Sequence, residues 1–308
     1  MASKKPTLSH RLEYVALRTL LGALSPLGWR AGGRVAAAIT AWGYRPFGFR
    51  RAVTERQIAA AFPAFDRRTV ARVARESYQN LGRVTVEATL LSNAGPRAVL
   101  DLFAPSPDYA LLEHALASGK GVILVSGHIG NWELAAAYMA ARGAPIDAIA
   151  RGMANPLADA YIRRTRERLG IRIMHDSEAV RRVPRALRDG RAVGVLSDQA
   201  TVGLASTFVD FFGRPAKTPR GGAVFAMRAA VPVLFVAALR QPDGRYRFVA
   251  EEIPVTHSDN RERDTDRIME RFTAILERLV REYPGQYFWQ HRRWKHQPHD
   301  TPPELREP

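Results

Sequence analysis

The chain has 308 residues, long enough to bury a sizeable core in one large domain or two small ones. Hydrophobic residues make up 46% and charged residues 25%, a balance that fits a folded chain and excludes a disordered one. Cysteine is absent, which excludes disulfides, thiolate metal centres, iron–sulfur clusters and a cysteine nucleophile, and suits a reducing compartment. The net charge of +16 points to an anionic partner, either nucleic acid, an anionic membrane or an acidic carrier protein, and charge alone does not choose among them.

The first residues are basic, but no apolar core with a cleavage site follows, so no secretory signal is expected. Residues 15–44 are the most membrane-like stretch, yet Arg18, Pro26, Arg30 and Arg34 interrupt them. No run of ~20 uninterrupted apolar residues occurs, which argues against a spanning helix. An interfacial segment is expected instead, with Trp29, Trp42 and Tyr44 at headgroup depth and the arginines reaching water. A helical hairpin packed on the domain is the alternative. Residues 52–91 carry helical spacing, broken at Pro63.

From residue 106 the pattern alternates. A helix ends at Gly119 and Gly121, and VILVS (122–126) reads as a buried strand. A helix to Gly143, the strand PIDAIA, a helix to Gly170, the short strand IRIM, a helix containing Pro184, and the buried strand AVGVLSD follow. STFVDFF, VPVLFVAAL and YRFVAEEI are further strands, while FFGRPAKTPRGG (211–222) reads as a loop. A long helix then buries a stripe of Ile268, Phe272, Ile275, Leu276 and Leu279. The expected class is α/β, with a central mixed, largely parallel sheet flanked by helices. The expected divisions are a helical, membrane-interfacial segment over 1–50, the α/β domain over 51–296, and a flexible tail over 297–308.

His128 follows the strand 122–126 in a Gly127–Gly130 turn, where ligands of open α/β sheets bind. That turn could carry the imidazole over the next helix, so that Glu133 accepts its Nδ1–H and leaves Nε2 free as a base. The plainer reading is a His capping a helix and a Glu favoured by the helix dipole. Asp198 ends another buried strand and could share the crevice. Arg151 follows the strand 145–150, and Arg163, Arg164, Arg166 and Arg168 cluster on a helix; these can grip phosphate or carboxylate, or simply face water. Phe211 and Phe212 could line a channel or pack in the core, and the Gly and Thr of that segment, Gly213 and Thr218 among them, could shape a cavity mouth. There is no phosphate-binding glycine loop, dinucleotide fingerprint, serine elbow or zinc-binding H-E-x-x-H, so no metal or cofactor is expected.

RRAVTERQIAAAFP, SGHIGNWE, ARGMANPLAD, RRTRERLG, VGVLSDQ, VDFFGRPAKTPRGGAVFAMR and YPGQYFWQHRRWK occur in that order. Together they resemble the lipid A late acyltransferases, the lauroyl/myristoyl acyltransferase family, to which mycobacterial phosphatidylinositol mannoside acyltransferases are related. The resemblance implies a glycerolipid-acyltransferase-like fold. It also implies transfer of an acyl chain from acyl carrier protein, or acyl-CoA, to a hydroxyl of an anionic membrane glycolipid at the cytoplasmic face of the inner membrane. By it, the H-x4-[DE] box falls on His128 and Glu133, a further acid on Asp198, and a basic R-x-R on Arg164 and Arg166. Phe212, Gly213 and Thr218 join Arg151 as expected substrate contacts. The stretch ATVGLAS (200–206) is expected near the acceptor. His128 would act as general base, with an arginine (151, 164 or 166) or backbone N–H groups of the 127–130 turn meeting the oxyanion. The rival from another class, a non-catalytic basic protein of membranes or nucleic acid, explains the charge but not acid and base residues at strand ends. No nucleic-acid partner is therefore expected.

Overall fold

A computed structural model describes residues 6–44, 48, 50–200 and 205–308. The chain starts with α1 (Leu8–Leu24) and α2 (Gly28–Tyr44), followed by α3 (Arg51–Ala61), α4 (Arg67–Leu91), α5 (Pro96–Leu100) and α6 (Tyr109–Ala117). The alternating part comprises β1 (Val122–Ser126), α7 (Trp132–Ala141), β2 (Ile146–Ala150), α8 (Pro156–Arg168), β3 (Arg172–His175), α9 (Ala179–Arg188) and β4 (Ala192–Leu196). It closes with β5 (Ser206–Phe211), β6 (Arg214–Pro219), α10 (Gly221–Ala229), β7 (Val233–Arg240), β8 (Tyr246–Ile253) and α11 (Arg261–Glu282).

Among the described residues the main sheet runs β3-β2-β4-β1-β7-β8, parallel except for the antiparallel β8 edge. All five residues of β1 are buried, as expected where helices cover both faces of a parallel strand. The strand period divides them: Ile123 and Val125 join the core under α9, α10 and α11, while Val122 and Leu124 join the core under α6 and α7. The α11 stripe predicted from spacing is wholly in the first of these cores.

β1 and β4 lie side by side, Val122 beside Ala192 and Ser126 beside Leu196. The chain leaves β1 into α7 on one face and leaves β4 towards α10 on the other. Neighbouring strands with connections to opposite faces open a crevice at their carboxyl ends, which is where such sheets bind ligands.

Three expectations change. Residues 211–222 are not a loop, because β5 and β6 pair antiparallel across a two-residue turn. Phe212 and Gly213 both have positive φ, at 56° and 72°, as a tight turn matching the strand twist requires. Pro215 and Pro219 concealed this strand in the sequence; a two-stranded ribbon has only edges, and edges tolerate proline. The segment from 297 is not loose: the Gln297 amide donates to the carbonyls of Pro215 and Leu305, Arg292 pairs with Glu307, and Thr301 is buried. Tyr44 is buried with its hydroxyl on Glu55 rather than at headgroup depth, and Trp29 packs against both neighbouring cores.

The hairpin α1–α2 packs tightly on α4. A Cβ on Gly82 of α4 would approach the Ala36 carbonyl to 2.5 Å, and one on Gly33 would meet the Glu87 carboxylate at 2.8 Å. Its outer surface exposes apolar side chains, Leu8, Leu12, Val15 and Trp42 each at about 60–74%, among exposed arginines such as Arg11, Arg30 and Arg34. No helix among the described residues is long and apolar enough to cross a membrane.

Candidate active site

The turn after β1 is held on every side. Gly130, at φ 62°, passes so close to β7 that a Cβ would collide with the Ala238 carbonyl. Its N–H donates to the Gln286 carbonyl, and its carbonyl accepts from the Asn80 amide at 2.8 Å. Asn131 caps α7 through the Leu134 N–H, and its own N–H donates to Ala238. The segment after α11 runs alongside, with the Phe288 N–H donating to the His128 carbonyl.

This scaffold aims His128 at Asp198. Nδ1 is 2.6 Å from Asp198 Oδ1, and the His128 backbone N–H donates to Oδ2 at 2.8 Å. Asp198 is fully buried. Burial alone would raise its pKa, but the His128 imidazole, those two hydrogen bonds and the nearby Arg293 outweigh it and hold the carboxyl below its usual range. An ionised Asp198 fixes the tautomer with the proton on Nδ1. The imidazole lies between Trp132, edge-on at 4.9 Å, and Phe288 at 5.9 Å. It keeps 19% of its side-chain surface exposed, and among the described residues no group is hydrogen-bonded to Nε2.

Glu133 is not the partner of His128. The first turn of α7 points it at α8, where Arg166 grips it with Nε at 2.8 Å and Nη2 at 2.6 Å. Burial would lower the pKa of Arg166, but the Glu133 carboxylate more than compensates and raises it. The pair ties the helix after the 127–130 turn to α8, and among the described residues Arg166 Nη1 has no hydrogen-bond partner.

His128, Glu133 and Arg166 line a cavity of about 590 Å³. Ser126, Gln199 and His291 join them at its polar end. Leu124, Met139, Ile146, Ile162 and Ile173 give it an apolar wall between the sheet and α7–α8, while Asp159, Arg163, His175, Glu178 and Arg182 also line it. A bore of this size and lining suits a flexible apolar chain. Arg151 lies at its rim, exposed.

Four of the expected substrate contacts lie elsewhere. Arg164 faces away from the cavity, on the opposite side of α8. Phe212 is buried among Phe62, Phe211 and Trp289, so this aromatic cluster is core and not channel. Gly213 forms the β5–β6 turn. Thr218 is buried and accepts from Arg293 Nη2 at 2.6 Å. The backbone N–H groups of residues 128–131 are all committed, to Asp198 and to the carbonyls of Gly127, Gln286 and Ala238, so they form no oxyanion hole. Residues 201–204, within the stretch expected near the acceptor, lie outside the described residues.

A supporting layer carried no role in the sequence. The Tyr287 hydroxyl, pushed up by burial and then by Asp198, interacts with both Asp198 and Arg293. Buried Arg293 is held in turn by the Lys217 carbonyl and Thr218. Gln57 spans the carbonyls of Trp289 and His291 and the Arg293 N–H. The Glu87 carboxylate, buried in α4, accepts from Tyr246, Arg240 and Asn131, the α7 cap. Burial raises the pKa of Glu87 despite those donors. The one signal for this layer was the density of polar residues among aromatics in YPGQYFWQHRRWK.

The sequence is 26% identical over 258 residues to a lipid A biosynthesis palmitoleoyltransferase of Escherichia coli, covering 82% of each chain. It is 24% identical over 258 residues to a lipid A biosynthesis acyltransferase of Haemophilus influenzae, covering 83% of this chain and 81% of that one. Over 127 residues it is 28% identical to a phosphatidylinositol mannoside acyltransferase of Mycobacterium tuberculosis, covering 40% of each. The family model described as bacterial lipid A biosynthesis acyltransferase matches residues 13–296, and the chain belongs to that family of acyltransferases.

Proposed function

We propose that this acyltransferase moves a fatty acyl chain from a thioester, on acyl carrier protein or coenzyme A, to a hydroxyl of an anionic glycolipid, a lipid A precursor. The observation that carries the reading is the His128–Asp198 pair, whose Nε2 edge opens on a cavity with one apolar wall. The acyl chain lies in the bore and places its thioester carbonyl near His128. Nε2 removes the acceptor hydroxyl proton as that oxygen attacks the carbonyl carbon. The tetrahedral oxyanion meets the donors the cavity offers, Arg166 Nη1 and the His291 imidazole. The carbon–sulfur bond then breaks, and the imidazolium returns its proton to the leaving thiolate. No protein nucleophile takes part.

The exposed apolar side chains of α1–α2 support contact with the cytoplasmic face of the inner membrane, where donor and lipid acceptor meet. The net charge of +16 favours both an acidic carrier and a phosphorylated acceptor. A second reading is a phosphatidylinositol mannoside or similar glycolipid as acceptor, and the similarity to the mycobacterial enzyme favours it. Mass spectrometry of the lipids from a deletion strain separates the two. Loss of one acyl mass from lipid A, restored by the wild-type gene and not by His128→Ala, supports the first reading. The same loss in a mannoside lipid supports the second, and an unchanged lipid profile contradicts both.

A further inference from the structure

Helix α8 has a second working face. Ile162, Arg163 and Arg166 turn towards the catalytic cavity, whereas Tyr161, Arg164 and Arg168 turn the other way, as their spacing on a helix demands. There they form one wall of an open groove of about 720 Å³, whose opposite wall is Tyr14 and Arg18 of α1. The groove is cationic, since Arg18, Arg164 and Arg168 face it and Glu167 is the one acid in its lining. It is also set in place. The Arg18 guanidinium lies 4.8 Å from the centre of the Tyr161 ring and donates to the Tyr14 hydroxyl at 3.1 Å, and the two tyrosine rings meet edge-on. The Asn155 amide, at the start of α8, donates to the His10 carbonyl and the Glu13 carboxylate, both at 2.9 Å, which pins α1 against α8. Arg164 and Arg168 have no acidic partner among the described residues.

Helix α1 adds a second, independent observation. Leu8, Leu12 and Val15 form an exposed stripe at helical spacing, and Tyr14 and Arg18 lie on the adjoining side of the helix, where they enter the groove. Apolar side chains beside a preset cationic groove match the two ends of one molecule, a lipid with a phosphate headgroup. We propose that the α1–α8 groove binds the headgroup phosphate of an anionic bilayer phospholipid, with its acyl chains beside the Leu8–Leu12–Val15 stripe. The site is separate from the acceptor's, because α8 stands between it and His128. It rests on the membrane-surface part of the proposed function and gives that contact a lipid preference.

The test is flotation of the purified full chain with phosphatidylcholine vesicles, with and without phosphatidylglycerol. Each arginine near an anionic surface contributes about 1 kcal/mol, so replacing Arg18, Arg164 and Arg168 together by Gln is expected to lower partition onto phosphatidylglycerol vesicles by about a hundredfold. Partition onto neutral vesicles should not change. Arg181, Arg185 and Arg188 of α9, exposed and away from the groove, serve as the charge control, and their replacement by Gln is expected to cost at most a few fold. Equal losses for the two triple variants, or full binding by the groove variant, overturn the proposal. Calorimetry with inorganic phosphate separates the sources of the ligand. Saturable binding that the groove variant loses, and that displaces the protein from vesicles, assigns the groove to a soluble phosphate and overturns the lipid assignment. Flotation reads no turnover, so its failure leaves acyl transfer standing, and a failed transfer assay leaves this site standing.

Discussion

Asp198 holds His128 twice, by the ring at Nδ1 and by the backbone N–H of the same residue, so one buried carboxylate fixes both the tautomer and the turn that carries it. Replacing Asp198 by Asn keeps the shape and removes the charge that stabilises the imidazolium. The variant should lose about 10²–10⁴ in kcat with little change in KM, as expected for a group whose help is felt in the transition state. Steady-state kinetics on a folded variant checks this, and a loss confined to KM would assign Asp198 to binding.

Glu133 should behave differently. Its work is done through Arg166, so Glu133→Gln, Arg166→Gln and the double variant should cost similar amounts, with a coupling energy of about 1–3 kcal/mol between the two sites. A double-mutant cycle on kcat/KM measures it. If Glu133→Gln instead coupled to Asp198→Asn and not to Arg166, the carboxylate would belong to the imidazole after all.

The sequence made β1, β4, α7 and α8 legible because glycines punctuate them, and α11 because of its long apolar stripe, while strand-end placement singled out His128, Asp198 and Arg151. It could not decide which acid faces His128, because that depends on β4 lying beside β1 and on the turn leaning back over the sheet. Spacing along the chain favoured Glu133, five residues away, whereas the partner is 70 residues away. Arg164 and Arg166 look alike in sequence, and only the rotation of α8 against the sheet sends one to the cavity and the other to the outer groove. The roles of Tyr287, Arg293 and Glu87 were unreadable for a related reason: they act across 70 to 160 residues of intervening chain.

Glu87 carries a stability prediction. Its carboxylate is the shared acceptor for Arg240, Tyr246 and Asn131, all drawn to one buried point beneath Gly33. Glu87→Ala leaves a largely buried arginine without its partner and should cost about 3–5 kcal/mol. Glu87→Gln keeps the size and one acceptor oxygen and should cost less, about 1–3 kcal/mol. Urea unfolding at neutral pH measures both, and equal costs would mean that the carboxylate's charge and second oxygen contribute nothing.

His291 predicts the acid limb of stability. Burial, with the positive Arg293 and Arg50 nearby, holds its pKa down to about 4 against the attraction of Asp198. Between that value and the ordinary 6.5 the unfolded chain binds a proton that the folded chain refuses, so this contribution is complete above pH 6.5 and is lost as pH falls towards 4. Its size is roughly 3 kcal/mol at 1.36 kcal/mol per unit. His291→Gln should flatten the difference in unfolding free energy between pH 7 and pH 4.5. An unchanged slope would show that other groups set the acid limb.

The account stands or falls on His128 as the base, and the direct measurement is acyl transfer by the purified protein, with an acyl thioester and a glycolipid acceptor in detergent. His128→Ala is predicted to lower kcat by about 10²–10⁴ while unfolding at an unchanged or slightly shifted urea midpoint. A folded His128→Ala protein that retains kcat within a few fold of wild type would contradict it.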